Sequence, residues 1–146
     1  MTVVLSGTEI AGKLREKFPE SIIDAKPQFI LVKPESLLEI ATFLKDAPEY
    51  KFNYLTSVTA VDYYDYFEAV YHLTSIDHNH SLVLKTRCAR EKPVLPSVVR
   101  LWQAADLQER EIYDLLGITF EGHPNLKRIV LWEGFQGHPL RKDYLA

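Results

Sequence analysis

Three runs in the middle of the chain, residues 54–62, 66–76 and 81–88, are rich in aromatic and β-branched side chains. Side chains of this kind suit the pleated, half-buried surface of a sheet. Only short polar stretches, 62–65 and 77–80, join the three runs. Connections this short link antiparallel neighbours, because parallel strands need a long crossover. The block is therefore expected to fold as an antiparallel meander. Apolar residues fall on both faces of the middle run, Phe67 and Tyr71 on one and Val70 and Ile76 on the other. That pattern marks a central strand, or a sheet covered on both sides.

Helical spacing frames the meander. Ser6-Gly7-Thr8-Glu9 has the form of a capping box, in which a Ser oxygen and a Glu carboxylate answer the free amides of a helix start. Ile10, Leu14 and Phe18 follow at helical intervals, and Pro19 stops them. Two short strands are expected at 22–25 and 28–33, around Pro27. Pro34 suits the first position of a second helix, with Leu37, Leu38, Ala41 and Leu44 on one side and Pro48 beyond its end. Past Pro93, residues 96–102 read as a short helix. Asp106 then resembles an N-cap with Glu109 three residues on, and Gly117 suits the left-handed position that closes the helix after Leu116. The fold class expected is α+β: an antiparallel or mixed sheet packed with helices, then a C-terminal helix and an extended irregular tail. Residues 1–117 form the domain and 118–146 the tail.

Regularity fails in that tail, yet Ile129, Val130, Leu131, Trp132 and Phe135 are too apolar for a solvated segment. Long stretches without periodicity are uncommon inside compact domains and are often functional. These side chains need cover, either on this domain or under a neighbour.

Composition removes several classes of function. With 47% hydrophobic and 25% charged residues, the 146-residue chain has the makeup of an ordinary globular domain. Cys88 is its single cysteine, so the chain has too few thiolates to hold an iron–sulfur cluster by itself. The net charge of −3 and the scattered Lys and Arg argue against a nucleic-acid binder. No apolar run approaches the roughly 20 residues of a membrane span. The N-terminal stretch lacks a basic head and makes a poor secretory signal. Gly-rich phosphate loops and the G-x-S-x-G elbow are both absent.

The densest set of polar candidates runs from Glu109 to Gly117. At about 100° per residue, Ile112, Leu115 and Leu116 share one face while Arg110 and Asp114 point away from it. Arg110 precedes Asp114 by four residues, the weaker orientation for an intrahelical pair, so their partners are sought elsewhere. Glu109 and Glu111 diverge on a helix and make a poor acid–base pair. His123 and His138 each sit in a Gly-His-Pro triplet, where Pro holds the preceding residue extended and presents the imidazole from a rigid bend. Such imidazoles suit hydrogen bonding or packing, and no further ligands lie beside them to make a metal site. His78 and His80 are expected in an exposed hairpin turn, and His72 as a structural strand residue. Cys88 follows Arg87 and precedes Arg90, cations that would lower a thiol's pKa.

The ordered series Glu109-Arg110-Glu111, Ile112-Tyr113-Asp114-Leu115-Leu116-Gly117, Gly122-His123-Pro124 and Gly137-His138-Pro139-Leu140-Arg141-Lys142-Asp143 resembles a family signature. It is that of the thirty-kilodalton subunit family of respiratory complex I, the C-type subunits of NADH-quinone oxidoreductases. Residues 55–63, 67–73 and 96–98 add to the likeness, which spans 54–143. Leu107 and Leu116 depart from it, standing where the family commonly has Trp and Phe.

The resemblance implies a structural subunit in the hydrophilic arm of a proton-translocating NADH:quinone oxidoreductase. It implies no catalytic, cofactor-binding or metal residue on this chain. Iron–sulfur clusters, FMN and quinone are expected on other subunits. The partners implied are the large D-type subunit of the quinone module and the cluster-bearing B-type subunit. The implied location is the cytoplasmic side of the cell membrane or an equivalent energy-transducing membrane, with membrane contact only through the complex. Glu109, Arg110, Glu111, Tyr113, Asp114, Gly117, His123, Pro124, His138, Pro139, Arg141 and Asp143 would shape the tail or its docking. An equivalent place in a membrane-bound hydrogenase, or in a complex with another electron donor, fits the same signature. A stand-alone enzyme using His123 or His138 is the reading from another class.

Overall fold

The structure, a computed structural model, describes residues 2–132 and 134–144. Residues 133, 145 and 146 of the expected tail lie outside the described residues. The meander forms as expected: β4 (Tyr54–Asp62), β5 (Tyr66–Ser75) and β6 (His80–Ala89) pair antiparallel, with β5 between its two neighbours. Two further strands, β1 (Val3–Val4) and β3 (Phe29–Val32), join β6 in parallel, and β2 (Ile22–Lys26) closes the far edge against β3. The sheet is therefore mixed, in the order β2-β3-β6-β5-β4 with β1 beside β6.

Parallel joins need crossovers, and helices supply them. Helix α1 (Gly7–Lys17) buries Ile10, Ala11 and Leu14, and α2 (Leu37–Asp46) buries Leu37, Ile40, Ala41 and Leu44. Both pack on the sheet face that carries Ile30, Val32, Leu55, Tyr71, Leu73, Leu82 and Leu84. Leu38, expected on the buried side of α2, is 40% exposed, and Ile40 is buried instead. Pro34 opens a turn of 3-10 helix, Pro34–Ser36, that leads into α2. Ser6 does stand at the N-cap of α1, but its side chain makes no capping bond; the Gly7 amide donates instead to the Pro27 carbonyl at 3.1 Å. Gly7 has to be small, since a Cβ would collide with the Lys26 and Phe29 carbonyls.

The other sheet face carries Val70, His72, Val83, Lys85 and Arg87, all half-buried or exposed. Among them Glu68 is buried, held by Arg87 Nε at 2.9 Å and Lys85 Nζ at 3.4 Å.

The helix expected over 96–102 does not form. Residues Val94–Pro96 are strand β7, and the Leu101 and Trp102 amides both donate to the Val98 carbonyl in a tight turn, each at 3.0 Å. The reason lies in Glu109, whose carboxylate takes the Ser97 hydroxyl and the Val98 amide and so caps the turn from outside. Trp102 pins the turn to the body by donating Nε1–H to the Phe52 carbonyl at 3.0 Å. Helix α3 (Ala105–Leu116) follows, and β8 (Thr119–Glu121) returns parallel to β7. Ala104, not Asp106, is the N-cap of α3; Asp106 lies in the first turn. Gly117 ends the helix in the left-handed conformation at φ +80°, as its position predicts.

Candidate partner-docking surface

Beyond β8 the chain has no regular structure, and polar hooks fix it to the body. The first hook is Asp114. Its side chain has no solvent exposure, although helical geometry alone points it away from the apolar face of α3. The tail folds over it. One oxygen, Oδ2, accepts the consecutive amides of Ile129, Val130 and Leu131 at 3.0, 2.7 and 3.0 Å. Arg128 donates Nη1–H to the other oxygen at 2.7 Å and to the Asp114 carbonyl at 3.1 Å. Burial pushes the Asp114 carboxyl up, but the amides and the guanidinium outweigh it and hold the group below the usual carboxylate range. Arg128 also donates to the Gly137 carbonyl at 2.6 Å, closing the tail into a loop.

The same helix end receives two more groups from the tail. His138 donates Nδ1–H to the Asp114 carbonyl and Leu140 donates its amide to the Leu115 carbonyl, both at 2.9 Å. The His138 ring lies against Gly117 and at 6.0 Å from the Tyr113 ring. Pro139, half-buried, follows at the turn.

A second hook lies at the end of β4. Asp62 is buried and accepts the Lys142 and Tyr64 amides, each at 2.8 Å, together with a close ion pair to Arg90. Burial again raises this carboxyl, while the Lys142 amide, Arg90 and the Tyr64 amide lower it by more. Arg90 reaches Asp143 at 3.1 Å, and Arg141 grips both Asp143 oxygens at 2.8 Å. Asp143 is held down to about 2, chiefly by Arg141. The Arg90 and Arg141 guanidinium groups both lie over the Phe67 ring.

The remaining signature residues divide by burial. Glu109 is buried within the body, accepting from the Ser97 hydroxyl at 2.6 Å and the Val98 amide at 2.9 Å; burial pushes its carboxyl up. Glu111 is exposed, so the two glutamates do not meet. Arg110 donates Nε–H to the Lys127 carbonyl at 3.1 Å. The His123 side chain is fully buried: Nε2–H faces the Asp106 carbonyl at 3.1 Å and its carboxylate at 3.0 Å. Its Nδ1 accepts the Asn125 amide across the exposed Pro124. Both tail imidazoles are thus occupied with the backbone, as their Gly-His-Pro settings favour.

Two expectations need correction. His80 is buried, bonding the Tyr50 carbonyl at 2.7 Å and packing on Phe52, because residues 50–52 fold over the hairpin end. Cys88 lies in the core, where burial pushes its thiol up to about 11 in spite of the neighbouring arginines. Residues 128, 90 and 62 carry both hooks, yet nothing local in the sequence marks them. The one available signal was Asp114 itself, an acid in the last turn of a helix, where the dipole disfavours it.

While Arg128, His138 and the 129–131 amides turn inward, several apolar side chains of the tail face outward. Val130 is 56% and Trp132 69% exposed, and Ile129 and Leu140 also face solvent. Trp132 stands edge-on to Phe135 with ring centroids 4.7 Å apart. Among the described residues, no group of three or more His, Cys, Asp and Glu is placed to hold a metal ion. Nor is any helix there long and apolar enough to cross a membrane.

Residues 30–146 match the family model described as respiratory-chain NADH dehydrogenase, 30 Kd subunit. The chain belongs to this family. The C-type NADH-quinone oxidoreductase subunit of Roseiflexus sp. (strain RS-1) is 38% identical over 149 residues, covering 97% of this chain and 85% of that protein. The C-type subunit numbered 2 of Rhizobium meliloti (strain 1021) is 44% identical over 116 residues, covering 77% and 63%. Among solved structures, the trypsin-resistant fragment (1-134) of Nqo5 matches with TM-score 0.67 and 30% identity over 82% of this chain and 98% of that one. The membrane-bound sulfane sulfur reductase, an archaeal respiratory membrane complex, contains a chain that matches with TM-score 0.76 and 25% identity over 94% and 85%. The respiratory-chain family thus covers both the meander and the clasped tail of this chain.

Proposed function

We propose that this chain is a structural subunit of a membrane-associated NADH:quinone oxidoreductase, carrying no redox centre of its own and joining its neighbours through the tail. One observation carries the reading: a segment tied to the body through Asp114 and Asp62 presents Val130, Trp132, Ile129 and Leu140 to solvent. Contiguous exposed apolar groups mark interaction surfaces, and Trp is enriched at interface hot spots. The occupants that fit the family are the quinone-module subunits, the large D-type one and the cluster-bearing B-type one. Clusters, FMN and quinone belong to those and other subunits. Membrane contact on the cytoplasmic side then comes through the partners.

A second reading, an equivalent subunit of a related respiratory membrane complex, rests on the likeness to the sulfane sulfur reductase chain over 94% of this one. A stand-alone enzyme is disfavoured by His123 and His138, whose donor atoms are taken by backbone carbonyls.

Truncation after Gly117 would also remove β8 and the groups that cap α3, so surface substitutions make the cleaner test. Val130→Asp with Trp132→Asp should leave the free chain folded but abolish co-purification with the large and cluster-bearing subunits. Full assembly of that variant would refute the docking surface, and the identity of the captured partners separates the two complexes.

A further inference from the structure

Arg87 is fixed at one end of its guanidinium and idle at the other. Val61 of β4, Glu68 of β5 and Arg87 of β6 stand opposite one another in register. Their side chains therefore share the sheet face that α1 and α2 leave bare. Glu68 accepts Arg87 Nε–H at 2.9 Å and lies 3.4 Å from Lys85 Nζ. The guanidinium stacks on the Tyr66 ring at 4.4 Å, and Lys85 stands over Phe29 at 4.3 Å. Neither terminal nitrogen of Arg87 has a hydrogen-bond partner among the described residues, and its side chain is 39% exposed. Arg90 and Arg128, by contrast, use both terminal nitrogens inside the chain.

We infer that this face is a second docking surface, on which Arg87 takes an aspartate or glutamate side chain of a neighbouring subunit. The inference rests on the proposed place of the chain in a larger complex and adds a site apart from the tail. Charge selects the occupant. Two cations here share one carboxylate, and Glu68 is only 2% exposed, so an approaching group meets positive charge. The two free ends of the guanidinium form a fork that matches a carboxylate. With Nε bonded and the plane stacked, little side-chain freedom remains to be lost on binding. Val61 and Tyr63, 39% and 45% exposed, lie on the same side of the sheet, and Tyr63 is 5.4 Å from the Tyr66 ring. Tyrosine beside arginine is the makeup of interface hot spots.

Competition during assembly tests this. Tagged variant and wild-type chains are co-expressed in equal amounts, and their ratio in the purified complex is compared with that in the free folded pool. Arg87→Met with Glu68→Gln removes the pair without stranding a buried charge. It should be under-represented in the complex by about 10-fold or more, the loss expected for hydrogen bonds to a charged group. Should that variant fold poorly, Arg87→Lys, which keeps a cation for Glu68 but loses the fork, should still be under-represented. Equal or preferred incorporation of the neutral variant would overturn the inference. Exclusion of the Val130 and Trp132 variant in the same experiment would then leave the tail's docking role standing. Binding of the free chain to anionic phospholipid vesicles that Arg87→Lys weakens would likewise overturn it, assigning the face to a membrane. A wild-type chain that enters no redox complex would sink the docking role, and this inference with it.

Discussion

Gly117 and His138 are in such close contact that a Cβ on Gly117 would stand 2.8 Å from the His138 ring carbon Cδ2. Two separate constraints therefore meet at one residue: the left-handed φ of +80° and the imidazole packed over it. Gly117→Ala should lower stability by about 1–2 kcal/mol in urea unfolding, the usual cost of a side chain in that conformation. A double-mutant cycle separates the two effects. In a His138→Ala background the steric part should vanish and the cost of Gly117→Ala should fall; equal costs in both backgrounds would show that the ring is not pressed against the glycine.

Arg90 joins Asp62, the Tyr64 carbonyl and Asp143. Removing its charge leaves the buried Asp62 with the Tyr64 and Lys142 amides as its hydrogen-bond donors among the described residues. Arg90→Met should cost about 1.5–3 kcal/mol, the range for hydrogen bonds to charged groups. It should also speed trypsin cleavage after Arg141 and Lys142 in the native chain. A variant as resistant as the wild type would mean that residues 141–143 are held without Arg90.

Acid should undo both hooks together. Asp62 and Asp114 have folded pKa values below the usual Asp value of about 3.9. A depressed pKa stabilises the fold fully above the unfolded value, and the benefit is lost as pH falls through the folded one. Protection of the tail amides from hydrogen exchange should thus stay constant from about pH 5 upward and drop only below about pH 4. Loss of protection nearer neutrality would assign the control to another group.

Glu109 has the opposite sign. Burial raises its pKa in the folded chain, so above the usual Glu value of about 4.3 the folded state retains a proton that the unfolded state releases. Its contribution to stability therefore falls as pH rises through that range and levels off above the folded pKa. Urea midpoints of Glu109→Gln relative to wild type should shift in favour of Gln as pH rises from about 4.3 towards neutrality. A constant difference across that interval would show that Glu109 titrates normally.

The fold was most legible where local pattern decides structure. The meander follows from the composition of 54–88, and the end of α3 from the need for glycine at a left-handed position. Prediction failed where a distant group intervenes. Residues 96–102 have helical spacing, but Glu109 takes the Ser97 hydroxyl and the Val98 amide and fixes a strand end and turn. A helical projection places Asp114 outward, which is correct for a bare helix; only the returning tail buries it. His80 looks like a turn residue until the Tyr50 carbonyl, 30 positions away, is set beside it. The signature residues could be found in sequence order, whereas their partners Arg90, Asp62 and Arg128 emerge only from long-range closure.

The capping of α3 by residues 128–140 also bears on how the chain is made. Domains tend to fold from the N-terminus while the polypeptide is still being synthesised, and here the sheet and α3 precede the groups that complete them. Until the last stretch emerges, a nascent chain carries an uncompensated Asp114 at a negative helix end. Stalled or clipped products should therefore fray at α3, an opening that proteases can use to tell an unfinished subunit from one ready for assembly.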